Sequence, residues 1–112
     1  MEDIYRKIWG LVRASKHVLL ISHKKPDGDT LGAMLAFAGA LEAHGIAHTR
    51  FCADEVPSAY FFMPGSHLVI SDPDIALDAR PDTVVSFDAG DLVFAGAQTL
   101  VSRIYPKPLI IN

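Results

Sequence analysis

Apolar residues recur at helical spacing from the start of the chain: Ile4, Ile8, Leu11 and Val12 predict a surface helix over about residues 3 to 15, with Tyr5 and Trp9 near the edge of its buried face. The pattern then changes. His17 to Ser22 (His-Val-Leu-Leu-Ile-Ser) is a nearly continuous apolar run, the form of a strand buried on both faces. After a loop from His23 to Gly28, the stretch Thr30 to His44 sets Leu31, Met34, Leu35, Ala38 and Leu41 on one stripe. Asp29 is placed as the N-cap of this second helix, and Gly45 as its left-handed stop.

Ile46 to Cys52 alternates loosely and predicts a second strand; Pro57 to Gly65 predicts a short helix and His67 to Ser71 a third strand. Asp72 to Asp82 holds two prolines and four aspartates and reads as connection, with one helical turn around Ile75 to Leu77. Thr83 to Phe87 is a buried strand that runs into Asp88. Leu92 to Ile104 then predicts a helix with Leu92, Val93, Leu100, Val101 and Ile104 inward, weakened by Gly96. Beyond Pro106 and Pro108, Leu109 to Asn112 opens another strand.

Strands alternating with helices predict an α/β fold, a Rossmann-like three-layer sandwich with a mainly parallel sheet. There is no internal repeat and no low-complexity segment. With 112 residues, half of them apolar, the chain is long enough for one domain with a core. A net charge of -3 and no Lys/Arg-rich run argue against a broad electrostatic grip on nucleic acid, so any such contact is expected to be short. One cysteine, Cys52, excludes an intrachain disulfide and a thiolate zinc cluster, and reads as a small buried hydrophobe. No signal-peptide pattern opens the sequence, and no apolar run approaches the roughly 20 residues of a membrane span, so a cytoplasmic protein without membrane partners is expected.

The chemistry concentrates at strand ends. In open parallel sheets, ligands bind beyond the carboxyl ends of the strands, where strand order reverses. His23-x-x-x-Asp27-x-Asp29 follows one strand and Asp88 ends another. One imidazole with hard carboxylates suits Mn²⁺, Mg²⁺ or Fe²⁺, and Pro26 and Gly28 restrict and bend the loop so that the groups converge. A further carboxylate from Asp88 would let two ions share the site, the general two-metal arrangement for phosphate-ester hydrolysis. The competing reading is structural: Pro-Asp-Gly-Asp is a common turn sequence, and Asp29 is then simply a cap.

The run Val18-Leu-Leu-Ile-Ser-His-Lys-Lys-Pro-Asp-Gly-Asp-Thr-Leu-Gly-Ala33 resembles the first motif of the DHH phosphoesterase superfamily, and Val84-Val-Ser-Phe-Asp-Ala-Gly-Asp91 resembles its second. That superfamily holds RecJ-like exonucleases, oligoribonucleases that also hydrolyse phosphoadenosine phosphate, and manganese-dependent family II pyrophosphatases. The resemblance implies a Mn²⁺-dependent hydrolase (Mg²⁺ as the alternative) in which His23 and Asp27 hold one ion, Asp29 the other, and Asp88 bridges them. It implies a short oligonucleotide or small nucleotide as substrate and a homodimer for the full-length protein.

The Asp-His-His motif that names the superfamily should follow Leu109 to Asn112. Residues 1–112 are therefore expected to be the front portion of a DHH catalytic domain, without the later metal-binding aspartate or the C-terminal substrate-binding domain. By that reasoning the 112 residues alone turn over little or no substrate.

Other residues carry both a structural and a functional reading. Lys24 and Lys25 are either solvated or phosphate contacts; Asp91 is a helix cap or support for the metal site. His17, His44, His48 and His67 read as structural or exposed. Tyr60, Phe61 and Phe62 read first as core packing of the short helix, second as a platform for a base. Among competing functions, a haloacid-dehalogenase-type phosphatase needs its nucleophilic aspartate directly after a strand, where this chain has His23. A receiver-like or nucleotide-binding regulatory domain would use Asp88 as phosphoacceptor and has no use for the His23 imidazole.

Overall fold

Four consecutive apolar residues with no exposed face, Val18–Ile21, form the central strand β1, and the rest of the sheet is laid down around it. The computed structural model describes residues 2–22, 25, 27–87 and 97–111. The elements follow as α1 (Glu2–Arg13), β1, α2 (Gly28–Ala43), β2 (His48–Phe51), β3 (Val69–Ile70), α3 (Pro73–Asp78), β4 (Thr83–Ser86), α4 (Gln98–Ser102) and β5 (Leu109–Ile111). Two short 3-10 turns, Ser58–Tyr60 and Ser66–Leu68, lie between β2 and β3.

The described strands make one five-stranded, all-parallel sheet in the order β3-β2-β1-β4-β5. The chain winds one way from β1 to β3 and the other way through β4 and β5, so order reverses between β1 and β4. This is the order of the first five strands of the dinucleotide-binding sheet, and it differs from the 2-1-3-4-5 order of receiver domains. The receiver alternative therefore loses its topological support.

Each face of the sheet is covered. Leu19, Ile21, Phe51 and Val84 pack with Ala76 of α3 and Leu100 and Val101 of α4. On the opposite face Val18, Leu20 and Val85 pack with Val12 of α1 and with Leu31, Met34, Leu35, Ala38 and Leu41 of α2. The predicted α2 stripe is buried throughout. Helices on both faces of a parallel sheet are the three-layer sandwich the pattern predicts.

Several local expectations need correction. Only Val12 of α1 is fully buried; Ile4, Tyr5 and Leu11 are exposed, while Ile8 and Trp9 pack partly on the core. With only one side of its apolar arc against the sheet, α1 sits on the domain rather than in it. The third strand is shorter than expected because Ser66–Leu68 turns as a 3-10 helix before entering it. Asp72 accepts a hydrogen bond from the Asp74 backbone N–H at 2.9 Å, and with Pro73 behind it starts α3, six residues rather than a single turn. Leu100 and Val101 of α4, and Ile104 just after it, are buried as predicted, although the helix covers only Gln98–Ser102; Leu92, Val93 and Gly96 lie outside the described residues.

The amino-terminal edge of the sheet is tied by Asp82. Its carboxylate accepts from the backbone N–H groups of Lys16 (3.0 Å) and His17 (3.2 Å), and its own N–H donates to the His17 carbonyl (3.0 Å). Ser15 and Thr83 share a hydroxyl hydrogen bond of 2.6 Å beside it. These bonds clamp the entry to β1 against the start of β4. They fix the two strands whose other ends frame the candidate site.

Candidate functional site

The carboxyl ends of β1 and β4 are hydrogen-bonded neighbours. Ile21 pairs with Ser86, the Phe87 N–H donates to the Ile21 carbonyl at 2.9 Å, and on the other side the Ser22 N–H donates to the Phe51 carbonyl at 3.0 Å. The crevice expected at a reversal of strand order therefore opens just past Ser22 and Phe87. His23 and Asp88, the next residues in the chain, lie outside the described residues, as do Lys24 and Asp91.

Asp27 and Asp29 stand at the start of α2. The N-cap is Asp27, not Asp29 as predicted: it has extended backbone angles (φ -102°, ψ 177°), and its Oδ1 accepts from the Thr30 N–H at 2.8 Å. The helix begins two residues earlier than expected because Gly28 and Asp29 already take helical geometry. Asp29 falls in the first turn, exposed, where a carboxylate is favoured by the positive end of the helix dipole. The structural reading of the turn thus belongs to Asp27. It is compatible with metal ligation, since a carboxylate accepts at both oxygens.

Two features bear on whether this edge suits a polar ligand. Ser22 is fully buried, and among the described residues its hydroxyl is the buried side-chain polar atom with no hydrogen-bond partner. Such an orphan costs roughly 1–3 kcal/mol. The second is the donor set, two exposed hard-oxygen carboxylates one residue apart, directly after the strand. Among the described residues no three His, Cys, Asp or Glu side chains converge as a metal site, so Asp27 and Asp29 do not form one without further groups.

Most remaining candidates have structural roles. His17 Nε2 and Thr49 Oγ1 lie 2.7 Å apart; burial lowers the His17 pKa, the neighbouring His48 lowers it further, and Asp82 opposes both. His44 Nδ1 donates to the Ala40 carbonyl and its ring meets the edge of Trp9. His48 Nδ1 donates to the Ile46 carbonyl. These three serve the amino-terminal edge, away from Asp27. Cys52 is fully buried, and burial pushes its thiol pKa up, opposed by a backbone hydrogen bond at Asp54, so it is the inert apolar group expected.

The aromatic segment departs from its first reading. Tyr60 is half-buried and packs with the α2 face, but Phe61 and Phe62 are 65% and 78% exposed. Phe61 instead lines a cavity of about 480 Å³ beside the strand ends, together with Glu55, Val56, Val69 and Ser71. His67, read from the sequence as structural or exposed, is exposed and borders the same cavity. Three aromatics in a row carried a signal, but nothing in their spacing says which rings face out.

No family model matches the chain, and no curated protein matches its sequence. Among solved structures it is similar to an exopolyphosphatase-related protein from Bacteroides fragilis, with a TM-score of 0.85 at 17% identity. The match covers 100% of this chain and 35% of that one, so the chain spans about a third of its neighbour's length. At this identity the likeness establishes a shared fold.

Proposed function

We propose that the chain carries the front half of a metal-dependent phosphoesterase site, with His23, Asp27, Asp29 and Asp88 as the metal-binding groups. The observation that supports the reading is the pairing of β1 with β4 at the reversal of strand order, since His23 follows the end of the first of these paired strands and Asp88 the end of the second in sequence. The exopolyphosphatase-related name of the structural neighbour and the resemblance of both motifs to DHH phosphoesterases point to the same class. A short oligonucleotide or small nucleotide is the proposed substrate, and Mn²⁺ the proposed ion.

Bound divalent ions would supply charge neutralisation for phosphoryl oxygens and activation of water. The chain's own contribution is positioning. The Thr30 N–H holds Asp27 in a fixed rotamer, and α2 fixes Asp29 within one residue of it. The first turn of α2 offers backbone N–H groups and a positive dipole end toward an anionic phosphate.

Mn²⁺ titration, followed by electron paramagnetic resonance, tests the proposal without relying on turnover. Binding should weaken at least tenfold in His23→Ala and in Asp88→Asn. Equal Mn²⁺ affinity in the wild type and both variants would remove the reading. Labelling of Asp88 by acetyl phosphate would turn it toward a phosphoacceptor domain.

A further inference from the structure

The segment between β2 and β3 is built to hold one aromatic ring against α2 and release two others. A β-carbon placed at Gly28, directly after Asp27, would meet Tyr60 Cε1 at 3.6 Å and Met63 Cε at 4.0 Å, so the Tyr60 ring lies on the first turn of α2. From that anchor the chain turns through Phe61 and Phe62 to Gly65 in left-handed geometry. Ser66 is then buried, and its hydroxyl donates to the Phe61 carbonyl at 3.2 Å, fixing the backbone that presents the Phe61 ring. Holding two phenylalanines outward at a rigid turn sacrifices apolar burial worth about 2 kcal/mol each.

The cavity bordered by Phe61 has a particular chemistry. Phe61, Val56 and Val69 give it apolar walls, while Glu55, His67 and Ser71 supply an acceptor, an imidazole and a hydroxyl. Among the described residues no lysine or arginine lines it, and Glu55 gives it a carboxylate, so it disfavours a phosphate and favours an uncharged, flat, hydroxyl-bearing group. Its volume, about 480 Å³, lies within the range for small-molecule sites. Glu55 follows the carboxyl end of β2 and Ser71 that of β3, while Ser66 and His67 lead into β3 and Val69 begins it, so the cavity runs along β3, two strands from β1.

We infer that this cavity is a nucleoside subsite, in which Phe61 stacks on a base while Glu55 and His67 take hydrogen bonds from its edge or its ribose. Tyr60 precedes Phe61 in the chain and lies against Gly28, the residue after Asp27, and on that link the phosphate of the nucleoside is directed toward Asp27 and Asp29. The orientation of the phosphate rests on the phosphoesterase reading; binding of the nucleoside does not. The inference separates two substrate classes that the metal groups alone leave open, since an inorganic polyphosphate has no part that fits this cavity.

Adenosine titrated into the chain in the presence of a chelator, followed by amide shifts in two-dimensional NMR, is the direct test. Saturable shifts at Phe61, Ser66, His67 and Ser71 are expected, with affinity falling about tenfold in Phe61→Ala, the scale of one base–aromatic stack, and kept in Phe61→Trp. Tripolyphosphate should leave these four amides unmoved. Absence of saturable shifts, shifts confined to other residues, or equal affinity in Phe61→Ala with its circular dichroism intact would each overturn the subsite. Mn²⁺ binding is measured separately: adenosine binding without Mn²⁺ binding keeps the subsite and removes the phosphoesterase reading, and the reverse removes the subsite alone.

Discussion

Replacing Gly65 by alanine should be among the most damaging single-methyl changes in this protein. Gly65 has φ +80°, and a β-carbon there would collide with Nη1 of Arg50. That guanidinium is 5% exposed, donates to the Gly65 carbonyl at 3.1 Å, and reaches the Glu42 carboxylate at 3.4 Å. The Gly65 carbonyl also accepts from the Leu68 N–H at 3.1 Å, so the turn and the arginine are one unit. Left-handed geometry costs a side-chain-bearing residue roughly 1–2 kcal/mol. Displacing the arginine forfeits a charged hydrogen bond worth about 1.5–3 kcal/mol. The pair with Glu42, itself 71% exposed, adds at most about 1 kcal/mol.

The expected loss is therefore about 3–5 kcal/mol, a large share of the roughly 5–15 kcal/mol that holds a typical domain together. Urea unfolding followed by far-ultraviolet circular dichroism measures it. The two causes separate in a double-mutant cycle with Arg50→Ala: once the guanidinium is gone, Gly65→Ala should cost only the backbone strain, leaving a coupling of about 2–3 kcal/mol. A loss below about 1 kcal/mol in the wild-type background, or strictly additive effects in the cycle, would refute the reasoning.

Three further outcomes follow from the geometry. Asp27→Ala should lose about 1 kcal/mol of stability with the α2 cap, while Asp27→Asn keeps the cap and loses only the charge; equal melting temperatures for wild type and Asp27→Ala would contradict the capping role. Ser22→Ala removes an orphaned hydroxyl, so calorimetry should show unchanged or raised stability, and a loss of more than about 1 kcal/mol would mean that the hydroxyl is partnered. Burial raises the Asp82 carboxyl pKa, but hydrogen bonds from Lys16, His17 and its own backbone, with the Lys16 charge, outweigh it and hold the value below the usual 3.8. The carboxylate's contribution is thus present above pH 3.8 and lost as pH falls through the lower folded-state value, so the stability gap between wild type and Asp82→Ala should close below that point.

Where the fold was legible, one constraint dominated. Val18–Ile21 and Thr83–Ser86 are apolar throughout or capped by small polar residues, and only a strand covered on both faces tolerates that; once two such strands exist, helices must lie above and below. The α2 stripe was equally plain, since all five of its predicted positions are buried. Boundaries were not. Asp27 and Asp29 are both good caps, and the choice between them turns on whether Gly28 enters the helix, as it does here with Tyr60 lying against it. A contact across 32 residues leaves no trace in a local pattern.

The same division runs through the candidate site. Candidate metal ligands announce themselves by residue type and by their position after apolar strands, so His23, Asp27, Asp29 and Asp88 could be proposed from the sequence. The cavity bordered by Phe61 could not, because its lining comes largely from irregular segments, the 3-10 turn at Ser66–Leu68 among them, which have no periodicity to read. Exposure is also the opposite of what composition suggests there: Phe61 and Phe62 are among the most apolar residues of the segment and among its most exposed. A residue that breaks the rule of burial on a rigid backbone, next to a concave wall, is better evidence of ligand contact than one that obeys it. On the two readings proposed above, the acidic turn would carry the chemistry of this edge, and the segment from Pro57 to Ser71 the choice of molecule.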